Sequence, residues 1–288
     1  MNKLIGILLI AVSAASFGTL AIFGRYAYAD GMDTFTVLFL RFTTAAVLML
    51  IFLAIRREAL PRGKVLFQLI GMGALGYVGQ SFSYMTAIKY ASAGLVALLL
   101  YLYPMFVAIL AAIFLKEKFT IIKIIAIALA TLGAALTANP EGGAWTGIIL
   151  AITAAGIYSI YIIVGTGVMK QVSPMQSSTV IFASAGAVYG ALTAVSGAHF
   201  PKTGAGWGAI GAIVIVATMI PVVTFLAGLQ RIGPTNASML STLEPVVTVL
   251  LSAILFGDVL KPIILVGGLL ILIAVIILAR SEISLNIA

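Results

Sequence analysis

Two ionisable side chains stand inside stretches that are otherwise apolar: Arg41, within residues 34–55, and Glu244, within residues 235–257. A charge in such surroundings needs a partner or a ligand. Glu244 has the chemistry to exchange a proton or hold an amine, and Arg41 to hold a carboxylate. If both stretches are membrane helices, a rise of about 1.5 Å per residue puts Glu244 some 13 Å and Arg41 some 12 Å from the surfaces they enter by, in a layer about 30 Å thick. A Glu244–Arg41 ion pair and a coupling or amine-binding role for Glu244 are both open.

Other chemistries have little to work with. The chain has no cysteine and one histidine, His199, which removes thiolate nucleophiles, Fe–S clusters and most zinc sites. No GxxxxGK[ST] occurs, so there is no P-loop for ATP. Gly71-Met72-Gly73-Ala74-Leu75-Gly76 matches GxGxxG but lies within an apolar run, where close helix packing explains the glycines better than a dinucleotide does. Gly79-Gln80-Ser81 resembles a serine-nucleophile turn, yet no histidine lies in any span to activate it. No enzyme activity, metal or cofactor is expected.

These residues are carried by 288 amino acids, 62% hydrophobic and only 8% charged, with a mean hydropathy of +1.23. A soluble domain has about 25% charged residues to cover its surface, so a water-soluble fold is excluded. Ten apolar runs are each about the length needed to cross a bilayer as a helix: 4–23, 34–55, 65–87, 92–115, 120–138, 145–168, 175–196, 207–230, 235–257 and 262–280. The first run is too long for a signal-peptide core and is expected to be retained. With ten crossings both termini share a side, and eleven of the sixteen Lys and Arg residues fall on it against four on the other and Arg41 within a span. Positive loops stay cytoplasmic, so both ends are expected in the cytoplasm. The net charge of +8 then reflects topology and anionic headgroups, not nucleic acid.

The chain also repeats. Placing Gly6 on Gly147 aligns the two halves without a gap, so that Pro104 falls on Pro245 and Glu117 on Asp258. Residues matched in this register are repeat partners. Five spans per half is an odd number, so the halves, 1–140 and 141–288, are expected to enter the membrane in opposite senses, as in many secondary transporters.

The run Ala87-Ile88-Lys89-Tyr90-Ala91-Ser92-Ala93-Gly94, then Tyr103-Pro104 and Lys116-Glu117-Lys118, resembles the half-repeat of the EamA family in the drug/metabolite transporter superfamily. Ile232-Gly233-Pro234-Thr235-Asn236-Ala237-Ser238, Leu243-Glu244-Pro245 and Gly257-Asp258 resemble it more closely, and Phe17-Gly18 and Arg41-Phe42 also fit. Phe17 stands where the family often has Trp, and Asp258 where it usually has Glu. The overall aspect is similar to the YddG-type amino-acid exporters. The resemblance implies a ten-helix secondary carrier of small metabolites, and the short loops and basic inner face fit a bacterial inner membrane.

Helical spacing suggests where a solute would sit. Gly73, Gly76, Tyr77, Gln80, Ser83 and Tyr84 share one face of the third span. The repeat partners of the last four, Thr218, Pro221, Thr224 and Phe225, form a drier stripe on the eighth. Ser16 and Phe17, Tyr101, Tyr158 and Tyr161, and Ser241 and Thr242 complete a ring suited to a neutral or zwitterionic solute. Ser and Thr also bond back to their own helices, and Tyr often belts the interface. Pro104, Pro221 and Pro245 free the carbonyls of Leu100, Ala217 and Ser241 and mark hinges or static bends. Glu117 and Asp258 are expected to cap helix N-termini. The expected function is export of amino acids, aromatic or neutral, by alternating access, using a proton or counter-substrate. A carrier of cationic drugs or nucleobases, or a non-transporting membrane subunit, is the alternative.

Overall fold

The structure, a computed structural model, describes residues 2–87, 89–91, 93–118, 120–138, 144–257 and 261–284. Asp258, the 139–143 connector, Ile88 and Ser92 lie outside the described residues.

The described chain is helical. In order come α1 (Asn2–Gly18), α2 (Leu20–Ala29), α3 (Thr34–Ile55), α4 (Gly63–Gly71), a π-helical turn (Met72–Tyr77), α5 (Val78–Ala87), α6 (Ala93–Leu100), α7 (Tyr103–Leu115) and α8 (Ile121–Ala138). Then follow α9 (Trp145–Val168), α10 (Pro174–Ser196), α11 (Gly204–Val214), a second π-helical turn (Ile215–Met219), α12 (Ile220–Leu240), a 3₁₀ turn (Ser241–Leu243), α13 (Glu244–Phe256) and α14 (Pro262–Ser284). Among the described residues, eight helical runs are long and apolar enough to cross a membrane, and a shorter apolar helix covers Ile121–Leu136. One run, Gly204–Phe256, has 53 residues, about 80 Å of helix against a layer of about 30 Å. It is interrupted at Gly233 (φ 78°, ψ 169°), with Pro234 next. That backbone conformation is open to glycine alone at acceptable cost.

Helix ends are set by local chemistry. The Asp33 side chain accepts from the backbone N–H groups of Phe35 and Thr36 and starts α3. Ser173 and Gln176 form a reciprocal capping box before α10, with Pro174 at its first turn. Thr203 caps α11 by accepting from Gly206 N–H. Thr120, rather than Glu117, accepts from the Lys123 N–H at the start of α8. Glu117 instead pairs with Lys123 at 3.3 Å.

Between apolar helices in lipid, close approach of small residues supplies the packing. A methyl group on Gly186 of α10 would lie 2.8 Å from Thr43 Oγ1 of α3, and one on Gly190 3.1 Å from Phe39. At one end of this pair His199 N–H donates to Thr36 Oγ1 (2.9 Å), and at the other Gln176 Nε2 donates to Ala59 O (2.7 Å). Helices α3 and α10, which are repeat partners, therefore run antiparallel. In α1 and α12, Gly6 faces Ile232, Gly228 faces Ile10, and Ser13 Oγ donates to Pro221 O at 2.8 Å, which is also an antiparallel order. Gly147 of α9 meets Ala87 and Ala91, as its repeat partner Gly6 meets theirs, Gly228 and Ile232. Irregularities recur in the same register. The turn at Tyr101–Leu102 matches the 3₁₀ turn at Ser241–Leu243, and the left-handed helix end at Lys116 (φ 56°) matches Gly257 (φ 70°).

Candidate functional site

The breaks in the helices build a cavity of about 560 Å³. The α1–α2 break at Thr19 is closed by Thr19 bonding Ser16 O (2.6 Å) and turns Phe17 inward. α2 then runs on to Ala29, so Arg25 and Tyr28 line the mouth. α3 contributes Val37, Leu38 and Arg41, and α5, with the last residue of the π-turn before it, presents Tyr77, Gln80, Ser81 and Tyr84 at i, i+3, i+4 and i+7. Ala97 and Leu100 come from α6, Tyr101 from the break after it and Tyr103 from the start of α7. The second half supplies Tyr158, Ile213, Glu244 and Thr248. Exposure falls from Tyr28 (45%) at the mouth to Tyr103 (3%) at the base. The mouth lies at the α2–α3 connector, the end of the bundle opposite the N-terminus.

Aromatic rings form a continuous wall. Tyr103 meets Tyr158 edge-on at 4.8 Å, Tyr158 stacks on Tyr161 at 5.9 Å, Tyr161 meets Tyr77 at 5.8 Å, and Tyr77 meets Phe42 at 5.2 Å. Such pairs add about 0.5–1.5 kcal/mol each beyond burial. The Tyr103 hydroxyl donates to Ser238 O at 3.1 Å.

Arg41 and Glu244 both reach this cavity, but Arg41 does not bond Glu244 directly. Its Nε donates to Thr218 Oγ1 at 2.6 Å and one terminal nitrogen to Ala217 O at 3.2 Å, and its guanidinium lies 4.9 Å over the Phe42 ring. Pro221 has no N–H to give Ala217 O, and Arg41 supplies the missing donor. Glu244 opens α13, where the helix dipole favours a carboxylate. It is half-buried and reached from the cavity. Gly18 makes this packing possible: a methyl group there would lie 2.9 Å from Glu244 O and from Val247 Cβ.

Of the residues expected from sequence, Phe17, Arg41, Tyr77, Gln80, Tyr84, Tyr101, Tyr158 and Glu244 line the cavity. Ser16, Tyr161, Ser241 and Thr242 do not. Tyr161 stands behind Tyr77 and Tyr158, and the Ser241 and Thr242 hydroxyls donate to Ala237 O (2.9 Å) and Met239 O (2.6 Å) of their own helix. Nor does the eighth-span stripe reach the cavity: Thr218 holds Arg41, Thr224 bonds Ile220 O, and Phe225 is buried. Gly73 and Gly76, within the π-turn, face Ser184 and Tyr161 and not the cavity. Pro104 and Pro245 fall in the first turn of helices that resume after a short turn, whereas Pro221 follows directly on the π-turn and leaves Ala217 O to Arg41. Sequence reasoning left Tyr103 and Ser81 out of the cavity. For Tyr103 a signal was there, since it is the repeat partner of Glu244.

The match to known proteins decides the family. The EamA-like transporter family matches residues 4–139 and again 145–280, two stretches in the register that places Gly6 on Gly147. The chain belongs to the EamA-like transporter family. An uncharacterized transporter of Archaeoglobus fulgidus is 29% identical over 94% of this chain and 95% of its own length. The uncharacterized transporters YcbK (23%, 88% and 86%) and YyaM (28%, 82% and 81%) of Bacillus subtilis are also similar. A solved crystal structure superimposes with a TM-score of 0.83 at 19% identity, covering 96% of this chain and 98% of the other, and shares the fold. This EamA protein is thus a multi-pass membrane protein of a transporter family.

Its two ends differ. At the end bearing the N-terminus, Glu117 bonds Lys123 and lies against Gly233, and Gln230 Nε2 donates to Met169 O and Val172 O. At the mouth end two carboxylates clasp the connector between α10 and α11. Asp30 accepts from Thr203 Oγ1 (2.8 Å) and from the N–H groups of Lys202 and Thr203. Thr203 does most to hold the Asp30 carboxyl below its ordinary range. Asp33 lies 3.0 Å from His199 Nδ1. Burial pushes Asp33 up, but hydrogen bonds from Thr36, His199 and Phe35 together bring it below the ordinary value.

Proposed function

We propose that this EamA protein is a secondary carrier that exports small zwitterionic metabolites, aromatic or neutral amino acids first among them, by alternating access. The observation that carries the reading is the pairing, in one aromatic-walled cavity of about 560 Å³, of a carboxylate, Glu244, with a guanidinium, Arg41. The volume suits a small molecule. Glu244 binds the amine and exchanges it with a proton or counter-substrate. Arg41 faces the carboxylate, and the tyrosines and Phe17 enclose an apolar side chain.

Ten crossings follow if Gly204–Phe256 turns back at Gly233 and α8 also spans. The antiparallel course of α3 and α10, and the family's two matches in one common register, support two inverted halves at 1–140 and 141–288. The basic loops support cytoplasmic termini in a bacterial inner membrane. The breaks before Pro104, Pro221 and Pro245 are the hinges. One observation favours a second reading: a carboxylate ringed by aromatic faces also suits an organic cation.

Purified protein in liposomes, given labelled amino acids, sugars, nucleobases and lipophilic cations separately, tests this. Saturable uptake of neutral amino acids by the protein alone supports it. Uptake confined to cations installs the second reading, and a need for another polypeptide removes the carrier role.

A further inference from the structure

Seven hydroxyl-bearing residues are buried in the second half near the closed end: Ser177, Ser178, Thr179, Thr235, Ser238, Ser241 and Thr242, none more than 6% exposed. Of these, Ser178, Thr179, Ser238, Ser241 and Thr242 donate back along their own helical run, to Pro174 O, Met175 O, Thr235 O, Ala237 O and Met239 O respectively, at 2.6–2.9 Å. Such back-bonds give a helix nothing that alanine or valine would not, and they slightly weaken it. Their use is that a hydroxyl satisfied this way can be dry in one state and wet in another at little cost. A further polar atom at this end, Asn236 Oδ1, is buried without a hydrogen-bond partner.

The repeat singles out these five back-bonded residues. Their repeat partners are Val37, Leu38, Ala97, Leu100 and Tyr101, and all five line the open cavity. We propose that these five hydroxyl residues line a second solute vestibule, closed in this structure, which opens at the end bearing the N-terminus when the first closes. The inference rests on the alternating-access reading and adds the chemistry of the other face. Phe17 with Tyr158, and Tyr103 with Glu244, are repeat partners that both line the present cavity, so they serve both vestibules. The repeat partners of Arg25 and Arg41 are Thr166 and Phe182. The second vestibule therefore receives its solute through the amine, at Glu244 and the hydroxyls, and carries no guanidinium at those two places for a carboxylate.

The natural chain has no cysteine, so single thiols report without background. Ser178→Cys, Ser238→Cys and Ser241→Cys change one atom each, and Ala97→Cys marks the open cavity. Each is treated with a membrane-impermeant quaternary-ammonium methanethiosulfonate in right-side-out and in inverted vesicles. A cysteine at Leu60 identifies the side bearing the N-terminus, and maleimide labelling after denaturation confirms each thiol. The expected result is modification of the three serine-derived thiols from the Leu60 side alone and of Ala97→Cys from the other side alone. Silence of all three from the Leu60 side in monodisperse protein overturns the proposal, as does their reaction from the Ala97 side. Opposite-sided labelling without amino-acid flux keeps the vestibule and discards the substrate. Flux with the three thiols silent keeps the carrier and discards the vestibule.

Discussion

Tyr103 and Glu244 are repeat partners and face one cavity from the first turns of two resumed helices, α7 and α13. Their carbonyls meet repeat-related neighbours. Tyr103 O accepts from Ser159 Oγ at 3.2 Å, and Glu244 O lies against Gly18, itself the repeat partner of Ser159. The centre thus holds one arrangement twice, tipped once by a phenol and once by a carboxylate.

That difference makes the carboxylate the amine partner. A hydrogen bond to a charged group is worth about 1.5–3 kcal/mol, so Glu244→Gln is expected to weaken binding of an amine-bearing solute about tenfold or more. Tyr103→Phe, which keeps the ring, should cost much less. Competition binding with purified variants measures both. Unchanged affinity together with an unchanged pH dependence of uptake in Glu244→Gln would make the carboxylate structural.

Arg41 ties α3 to the π-turn before α12. Thr218→Val removes the acceptor of its Nε and is expected to cost about 1–3 kcal/mol. Arg41→Met also leaves Ala217 O without a donor, so it should lower the melting temperature in detergent at least as far. Equal stability of both variants and the natural protein would show that the bridge contributes nothing.

The mouth clasp should respond to acid. Asp30 and Asp33 have folded pKa values below the ordinary 3.8, so folding favours their ionised forms. That stabilisation is complete above about pH 4 and is lost as pH falls through the folded values. Asp33→Asn should flatten the acid limb of a melting-temperature profile, and an unaltered limb would place the acid sensitivity elsewhere.

Gly18 and Gly211 make a matched pair for close packing. A methyl group on Gly18 meets Glu244 O and Val247, whereas nothing lies within 4 Å of the same position on Gly211. Gly18→Ala should cost about 1–3 kcal/mol through overpacking and disturb solute binding. Gly211→Ala should be neutral or gain up to about 1 kcal/mol from helix propensity. Thermal melts with a binding assay separate the two, and the reverse order would contradict the packing.

Much of this was legible in the residues. Polar and aromatic side chains at helical spacing within an apolar run cannot all face lipid, and so Tyr77, Gln80, Tyr84 and Glu244 mark the cavity. Ser241 and Thr242 read the same way in sequence, yet their hydroxyls turn back on their own helix, which spacing does not reveal. The π-turns at Met72–Tyr77 and Ile215–Met219 carry no residue signature, and Gly73 and Gly76 lie inside the first of them. The apolar run to Phe23 gave no reason to continue the helix to Ala29, so Arg25 and Tyr28 at the mouth went unseen.

Counterflow tests the central claim most directly. Liposomes holding the purified protein are loaded with an unlabelled neutral amino acid and diluted into a trace of the same labelled compound. A cavity exposed to one side at a time predicts transient accumulation of label above equilibrium, abolished when the internal solute is omitted. Label that only equilibrates, with or without internal solute, would contradict it.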